Sequence, residues 1–227
     1  MHRASFLGLI LFLLIAPGLV QAQSVADPDP QRFVKEIDHF IRYDQKNSFP
    51  QKAVLFIGSS SIRLWKTHLA FPEIPVINRG FGGSHISDVL FYYEKLVKKY
   101  QPQTIVFYAG DNDIAAGKSV EQTVADFKTF VAKVKKDLPF TKIIYLPIKP
   151  SLLRWNFWPA MQKVNQVISN ICAADSMLKY VDTASVLLDD SGKPDSTFFM
   201  EDGLHLNEKG YQKWNARLSP ILNILNH

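Results

Sequence analysis

Along the chain, short unbroken apolar runs alternate with longer stretches in which apolar residues return every three or four positions. The unbroken runs are Ala53-Val54-Leu55-Phe56-Ile57, Thr104-Ile105-Val106-Phe107-Tyr108 and Ile143-Ile144-Tyr145-Leu146. Weaker ones lie at 75–78 and 178–182. Runs of this length without alternation fit strands buried on both faces. Between them, Phe33, Ile37, Phe40 and Ile41 mark one helical face, and Val89, Leu90, Tyr93, Leu96 and Val97 predict another helix. The clearest helix starts after Ser119, where Ser119 and Gln122 form a capping box. Val120, Val124, Phe127, Val131, Val134 and Leu138 then fall on one side. Further helices are expected over 158–174 and from about Asn207, the latter kinked at Pro220. Strands alternate with helices without internal repeats. The prediction is one α/β domain, a three-layer αβα sandwich with a parallel sheet of about five strands.

The N-terminus does not belong to this pattern. His2 and Arg3 precede an apolar run from Phe6 to Val20, and Val20-Gln21-Ala22 suits a small-residue cleavage site. Residues 1–22 are expected to be a secretory signal peptide, 23–30 a polar linker and 31–227 the folded domain. The run is short for a membrane span and carries Pro17 and Gly18 near its end. An exported protein, periplasmic or extracellular and without a stable span after cleavage, is therefore expected.

Composition narrows the function classes. The 227 residues are 47% hydrophobic, enough for one sizeable core. The net charge of +5 is modest, and the pairs Lys98-Lys99 and Lys135-Lys136 fall near predicted helix ends, where cations suit the helix dipole. Solvated helix ends account for them better than a nucleic-acid surface does. Cys172 is the one cysteine, so no intramolecular disulfide forms; its apolar setting reads as a small core residue.

The candidate chemistry gathers at strand ends. Gly58-Ser59-Ser60-Ser61 follows the first strand, Gly80-Phe81-Gly82-Gly83 the second, and Gly110-Asp111-Asn112-Asp113 the third. Asp202-Gly203-Leu204-His205 precedes the last helix. In an open parallel sheet, ligands bind at the carboxyl ends of the strands. An acyl-transfer site needs a serine to attack, a histidine to take its proton and a carboxylate to fix the histidine tautomer. It also needs donors for the oxyanion, such as N–H groups at glycine turns and an amide side chain. Spaced three residues apart, Asp202 can reach Nδ1 of His205 and leave Nε2 for the serine, while Gly203 gives the turn its freedom. Each block alone also fits a turn or a helix cap. Their conjunction points to acyl transfer.

Other chemistries fit less well. The serine run lacks the Gly-x-Ser-x-Gly elbow. Gly117-Lys118-Ser119 resembles the tail of a phosphate loop, but position 112 is Asn rather than Gly. His39, His68 and His85 lack zinc-site spacing. No metal or other cofactor is expected.

In their order along the chain, the four blocks resemble the SGNH (GDSL-type) hydrolases, near platelet-activating-factor acetylhydrolase-like esterases and carbohydrate esterases. Phe56-Ile57-Gly58-Ser59-Ser60-Ser61 looks like the first block, with Ser60 at the nucleophile position. Asn78-Arg79-Gly80-Phe81-Gly82-Gly83 is similar to the second, with Gly83 as the oxyanion glycine. Asn112 matches the oxyanion asparagine, and Asp202 and His205 match the Asp-x-x-His pair. The resemblance implies the flavodoxin-like SGNH fold, a Ser60–His205–Asp202 triad, an acyl-serine intermediate and no metal. It also implies an oxyanion hole built from the Ser60 and Gly83 N–H groups and the Asn112 amide. One departure is Ser59, which stands where the family's Gly-Asp-Ser-Leu has aspartate.

The segment at 149–158 follows the fourth strand on the same sheet edge. Arg79 and Arg154 are expected to bind an anionic substrate group, and Trp155 either to stack on a sugar or border an acyl pocket, or to be a core aromatic beneath a long loop. The expected function is an exported serine esterase acting on short-chain or acetyl esters of a small molecule or glycan. The alternatives are an acyltransferase acting on glycans and a non-catalytic glycan-binding module of the same fold.

Overall fold

A computed structural model describes residues 25–226. The expected signal peptide, with residues 23 and 24 of the expected linker, lies outside the described residues. Five strands form one sheet: β1 (Val54–Gly58), β2 (Val76–Gly80), β3 (Thr104–Tyr108), β4 (Lys142–Tyr145) and β5 (Leu178–Tyr180). All pairings are parallel, in the order β2-β1-β3-β4-β5. The chain passes from β1 to β2 on one side, then crosses to β3 on the other. The carboxyl ends of β1 and β3 therefore flank the switch point, where a crevice opens in folds of this kind.

Nine α-helices lie among the described residues: α1 (Val34–Lys46), α2 (Ser60–Arg63), α3 (Thr67–Ala70), α4 (Ile86–Phe91), α5 (Tyr93–Leu96), α6 (Asp111–Ala115), α7 (Val120–Asp137), α8 (Trp158–Ala173) and α9 (Glu208–Asn226). Strand side chains alternate between two apolar layers. Leu55, Ile57, Ile105, Phe107, Ile143 and Tyr145 meet α1, α4, α5, α7 and α8. Val54, Phe56, Val106, Tyr108 and Ile144 meet Ile62 of α2 and Trp214, Leu218 and Leu222 of α9. This is the three-layer αβα sandwich the sequence predicts. Phe56, Phe107 and Phe127 are fully buried, each contributing about 1.5–3 kcal/mol of transfer free energy.

Local signals hold where they are strong. The Gln122 N–H donates to Ser119 Oγ at 3.1 Å and the Ser119 N–H to Gln122 Oε1 at 3.2 Å, closing the capping box of α7. Cys172 is buried in α8, which pushes its thiol pKa up to about 11. The single helix expected through 89–97 is instead broken into α4 and α5 at Tyr92. There the phenol donates to the Pro30 carbonyl at 2.8 Å and the ring packs edge-on against Phe81, so a tertiary anchor overrides the helical period. The α9 helix continues through Pro220.

From Val25 onward the expected linker lies against the domain. The Val25 N–H and carbonyl both bond the Gln122 amide, and Asp27 pairs with Lys118. No helix among the described residues is long and apolar enough to cross a membrane.

Candidate active site

β1 ends in a glycine for a steric reason. Gly58 has φ +140°, and a Cβ there would fall 1.8 Å from the Tyr108 carbonyl oxygen of the neighbouring strand. The Ser59 N–H still bonds that carbonyl at 3.0 Å. The chain then turns into α2, with the Ile62 and Arg63 N–H groups donating to the Ser59 carbonyl. The turn buries the side chains of Ser59 and Ser61 and leaves Ser60 half-buried at the sheet edge. Of the three serines, Ser60 meets the histidine: its Oγ lies 3.0 Å from His205 Nε2.

The Asp202–His205 turn divides one carboxylate between two tasks. Asp202 Oδ1 accepts from the Leu204 and His205 N–H groups, each at 2.9 Å, and so holds the backbone. Asp202 Oδ2 lies 2.6 Å from His205 Nδ1 and holds the ring. A carboxylate only accepts, so Nδ1 carries the proton and the Nε2 lone pair faces Ser60. Burial works against ionisation of Asp202, but the bonds from the His205 ring and the two N–H groups outweigh it and hold the carboxyl well below its usual range. Gly203, at φ +63°, makes the turn possible.

The glycine and asparagine blocks reach the same edge. Gly83 has φ +81°, and its N–H has no protein acceptor among the described residues. Asn112 lies in the first turn of α6, just beyond β3. Its Nδ2 donates to the Ser84 carbonyl at 3.0 Å, which leaves the second amide hydrogen free and ties the asparagine block to the glycine block.

The substrate-binding expectations fare differently. Arg79 is not free to meet a substrate anion. Its guanidinium is buried beneath α1, where Asp44 Oδ1 accepts at 2.5 Å and the Tyr100 hydroxyl at 2.6 Å, with the Phe40 ring against its face. In the sheet register Arg79 stands beside Ile57, which faces the α1 layer, so strand phase sends it away from Ser60. The expected anion is the protein's own Asp44. Arg154 does come to the site, where it engages Asp111 and Asn112. Trp155 is half-buried, stacked on Trp158 and packed against the larger core.

Lys149 and Asp111 lie within stretches the sequence points to, but the sequence assigns neither a role. Lys149 is fully buried, and its ammonium donates to the Leu204 carbonyl inside the Asp202–His205 turn at 2.7 Å. Its sequence signal is a lone cation closing an apolar run. Asp111 accepts from the Asn112 N–H at 3.1 Å. A cavity of about 400 Å³ lies beside α2, lined by Leu64, Trp65, Leu69, Met200 and Tyr211; Ser60 and His205 do not line it. Among the described residues no group of three or more His, Cys, Asp or Glu side chains is disposed to hold a metal ion.

A Streptococcus pneumonia protein, described as a platelet activating factor, superposes with a TM-score of 0.75 at 23% identity, over 85% of this chain and 94% of its own. A GDSL-like lipase from Bacteroides thetaiotaomicron gives a TM-score of 0.70 at 20% identity, over 86% and 97%. An acetylxylan esterase from Geobacillus stearothermophilus gives 0.63 at 16%, over 76% and 95%. These identities speak to the fold. No curated protein matches the sequence. The GDSL-like lipase/acylhydrolase family model matches residues 62–213, beginning two positions after Ser60 and spanning Gly83, Asn112, Asp202 and His205. The chain therefore belongs to the GDSL-like lipase/acylhydrolase family.

Proposed function

We propose that the protein is a serine esterase that hydrolyses carboxylic esters through an acyl-Ser60 intermediate. The observation that carries this reading is the continuous hydrogen-bonded line from Asp202 through His205 to Ser60. In the first half-reaction Ser60 Oγ bonds to the ester carbonyl carbon while His205 Nε2 takes its proton. The Ser60 N–H, the Gly83 N–H and Asn112 Nδ2 receive the oxyanion. Collapse breaks the carbon–oxygen bond to the alcohol, which leaves with the proton held on His205. In the second half-reaction water attacks the acyl carbon, gives its proton to His205 and releases the acid, and the proton returns to Ser60.

We favour acetyl or other short acyl groups because no long apolar insertion that could serve as a lid occurs among the described residues. The fold neighbour that acts on acetylated xylan lends support to a glycan ester. Export is proposed on the charged, apolar and small-residue pattern of residues 1–22. Mass spectrometry of the N-terminus in the extracytoplasmic fraction tests it; a chain still beginning at Met1 there would count against cleavage.

The test of the activity is a panel of activated esters of increasing acyl length, run with a fluorophosphonate label on wild type and Ser60→Ala. Hydrolysis and labelling should both vanish in Ser60→Ala while the fold survives. Labelling that persists at Ser59 or Ser61 would defeat the assignment, as would a wild-type protein inert to every ester.

A further inference from the structure

Asn112 is useful as an oxyanion donor only if its NH₂ end, and not its carbonyl end, faces the reacting atom. A side-chain amide can rotate to exchange the two, so something must set its direction. The structure provides two partners of opposite character. Arg154 Nη2 lies 3.0 Å from Asn112 Oδ1, and a guanidinium can only donate. The Ser84 carbonyl lies 3.0 Å from Asn112 Nδ2, and a carbonyl can only accept. Turning the amide over would oppose donor to donor and acceptor to acceptor.

Arg154 is itself held. Its Nη1 forms an ion pair with Asp111 Oδ2 at 3.2 Å, and the Arg154 side chain is mostly buried. The other oxygen of Asp111 accepts from the Asn112 backbone N–H at 3.1 Å. One buried carboxylate thus grips both the backbone of Asn112 and the arginine that grips its side chain. Arg154 lies 42 residues from Asn112 in sequence, in the loop after β4.

We propose that Arg154 is a positioning residue for the oxyanion hole: with Asp111 it orients the Asn112 amide toward the reacting carbonyl, and it does not bind the substrate. This rests on the reading of Asn112 as an oxyanion donor. It replaces the substrate-anion role that the sequence suggests for Arg154.

The experiment is a double-mutant cycle on an uncharged activated acetate ester, with Arg154→Met, Asn112→Ala and the double variant. Asn112→Ala should lower kcat by roughly 10²–10³, the cost of losing one oxyanion donor. Arg154→Met should lower kcat by about ten- to hundredfold with KM little changed, part of the cost of losing that donor outright. The double variant should be no slower than Asn112→Ala alone, because an absent amide needs no orienting. Arg154→Lys retains a cation for Asp111 without the planar fork and should recover activity only in part, which serves as a second reading should the Met variant fold poorly. Losses that add in the double variant would overturn the proposal, as would a raised KM at unchanged kcat, a fully active Arg154→Met or full recovery in Arg154→Lys. If Asn112→Ala itself is fully active, the oxyanion reading falls and this proposal with it. That outcome is separable, because it appears before Arg154 is touched.

Discussion

The ammonium of Lys149 donates to the carbonyl of Leu204 at 2.7 Å, so a buried cation after β4 fastens the turn that carries Asp202 and His205. Burial draws the Lys149 pKa down to about 8; Asp111 and Asp202 pull it up, and Arg154 adds to the lowering. A folded-state value below the unfolded one means that the unfolded chain holds more protons between the two. The Lys149 contribution to stability therefore rises from about pH 8 to about pH 10.5, and its cost is complete below that window. Relative to Lys149→Met, the wild type should gain unfolding free energy across this range, as read by denaturant titration at several pH values. A difference that is flat or falls with pH would contradict this. The Met variant should also lose kcat, because the Leu204 carbonyl loses its donor and the turn its anchor.

Asp202→Asn should cost roughly 10⁴ in kcat, the size expected when a triad carboxylate becomes an amide. An asparagine Oδ1 can still accept from the Leu204 and His205 N–H groups, so the turn survives. Its NH₂ end would then face Nδ1 and impose the wrong tautomer, directing an Nε2–H at Ser60. Steady-state kinetics beside circular dichroism would separate lost chemistry from lost structure.

Gly83→Ala is a conformational test. An added Cβ meets nothing within 4 Å, but φ is +81°. Left-handed strain should destabilise the fold by about 1–2 kcal/mol, and re-aiming the N–H should cost about tenfold or more in kcat. Unchanged turnover would remove Gly83 from the oxyanion site.

Lys118 carries a structural prediction. Its ammonium is almost fully buried and meets Asp113 at 3.2 Å, Asp126 at 2.8 Å and Asp27 of the N-terminal segment. Asp113 directly follows Asn112 and is itself fully buried. Lys118→Met leaves that carboxylate only the Ile86 N–H and the His85 ring at 3.8 Å, and the loss of its lysine should cost about 3–5 kcal/mol in urea unfolding. Asp27→Asn, at a half-exposed carboxylate, should cost less than about 1 kcal/mol. Equal losses would mean that Asp27 is the main partner.

Much of this was legible in one dimension. β3 begins and ends where its apolar run does, and β1 and β4 lie within a residue of theirs, because a strand buried on both faces tolerates few polar residues. The α7 capping box was legible because its two partners are three residues apart. The split between α4 and α5 was not, since it depends on Tyr92 finding the Pro30 carbonyl 62 residues away. Arg79 misled for a related reason: its neighbours in sequence are the glycine block, but strand phase delivers its side chain to Asp44 on the opposite face of β2 from α9.

By itself, the sequence determined the alternation of strands and helices, the four polar blocks at strand ends and the Asp202–His205 spacing. All of these are local, set by side-chain period and by residues a few positions apart. The tertiary structure alone decided which way the Asn112 amide faces and what Arg79, Lys149 and Arg154 hold. Those outcomes depend on directional bonds between residues far apart in sequence, such as Arg79–Tyr100 at 21 positions, Asn112–Ser84 at 28 and Lys149–Leu204 at 55. No local period specifies such pairings; they exist only once the sheet order β2-β1-β3-β4-β5 has brought its carboxyl edge together.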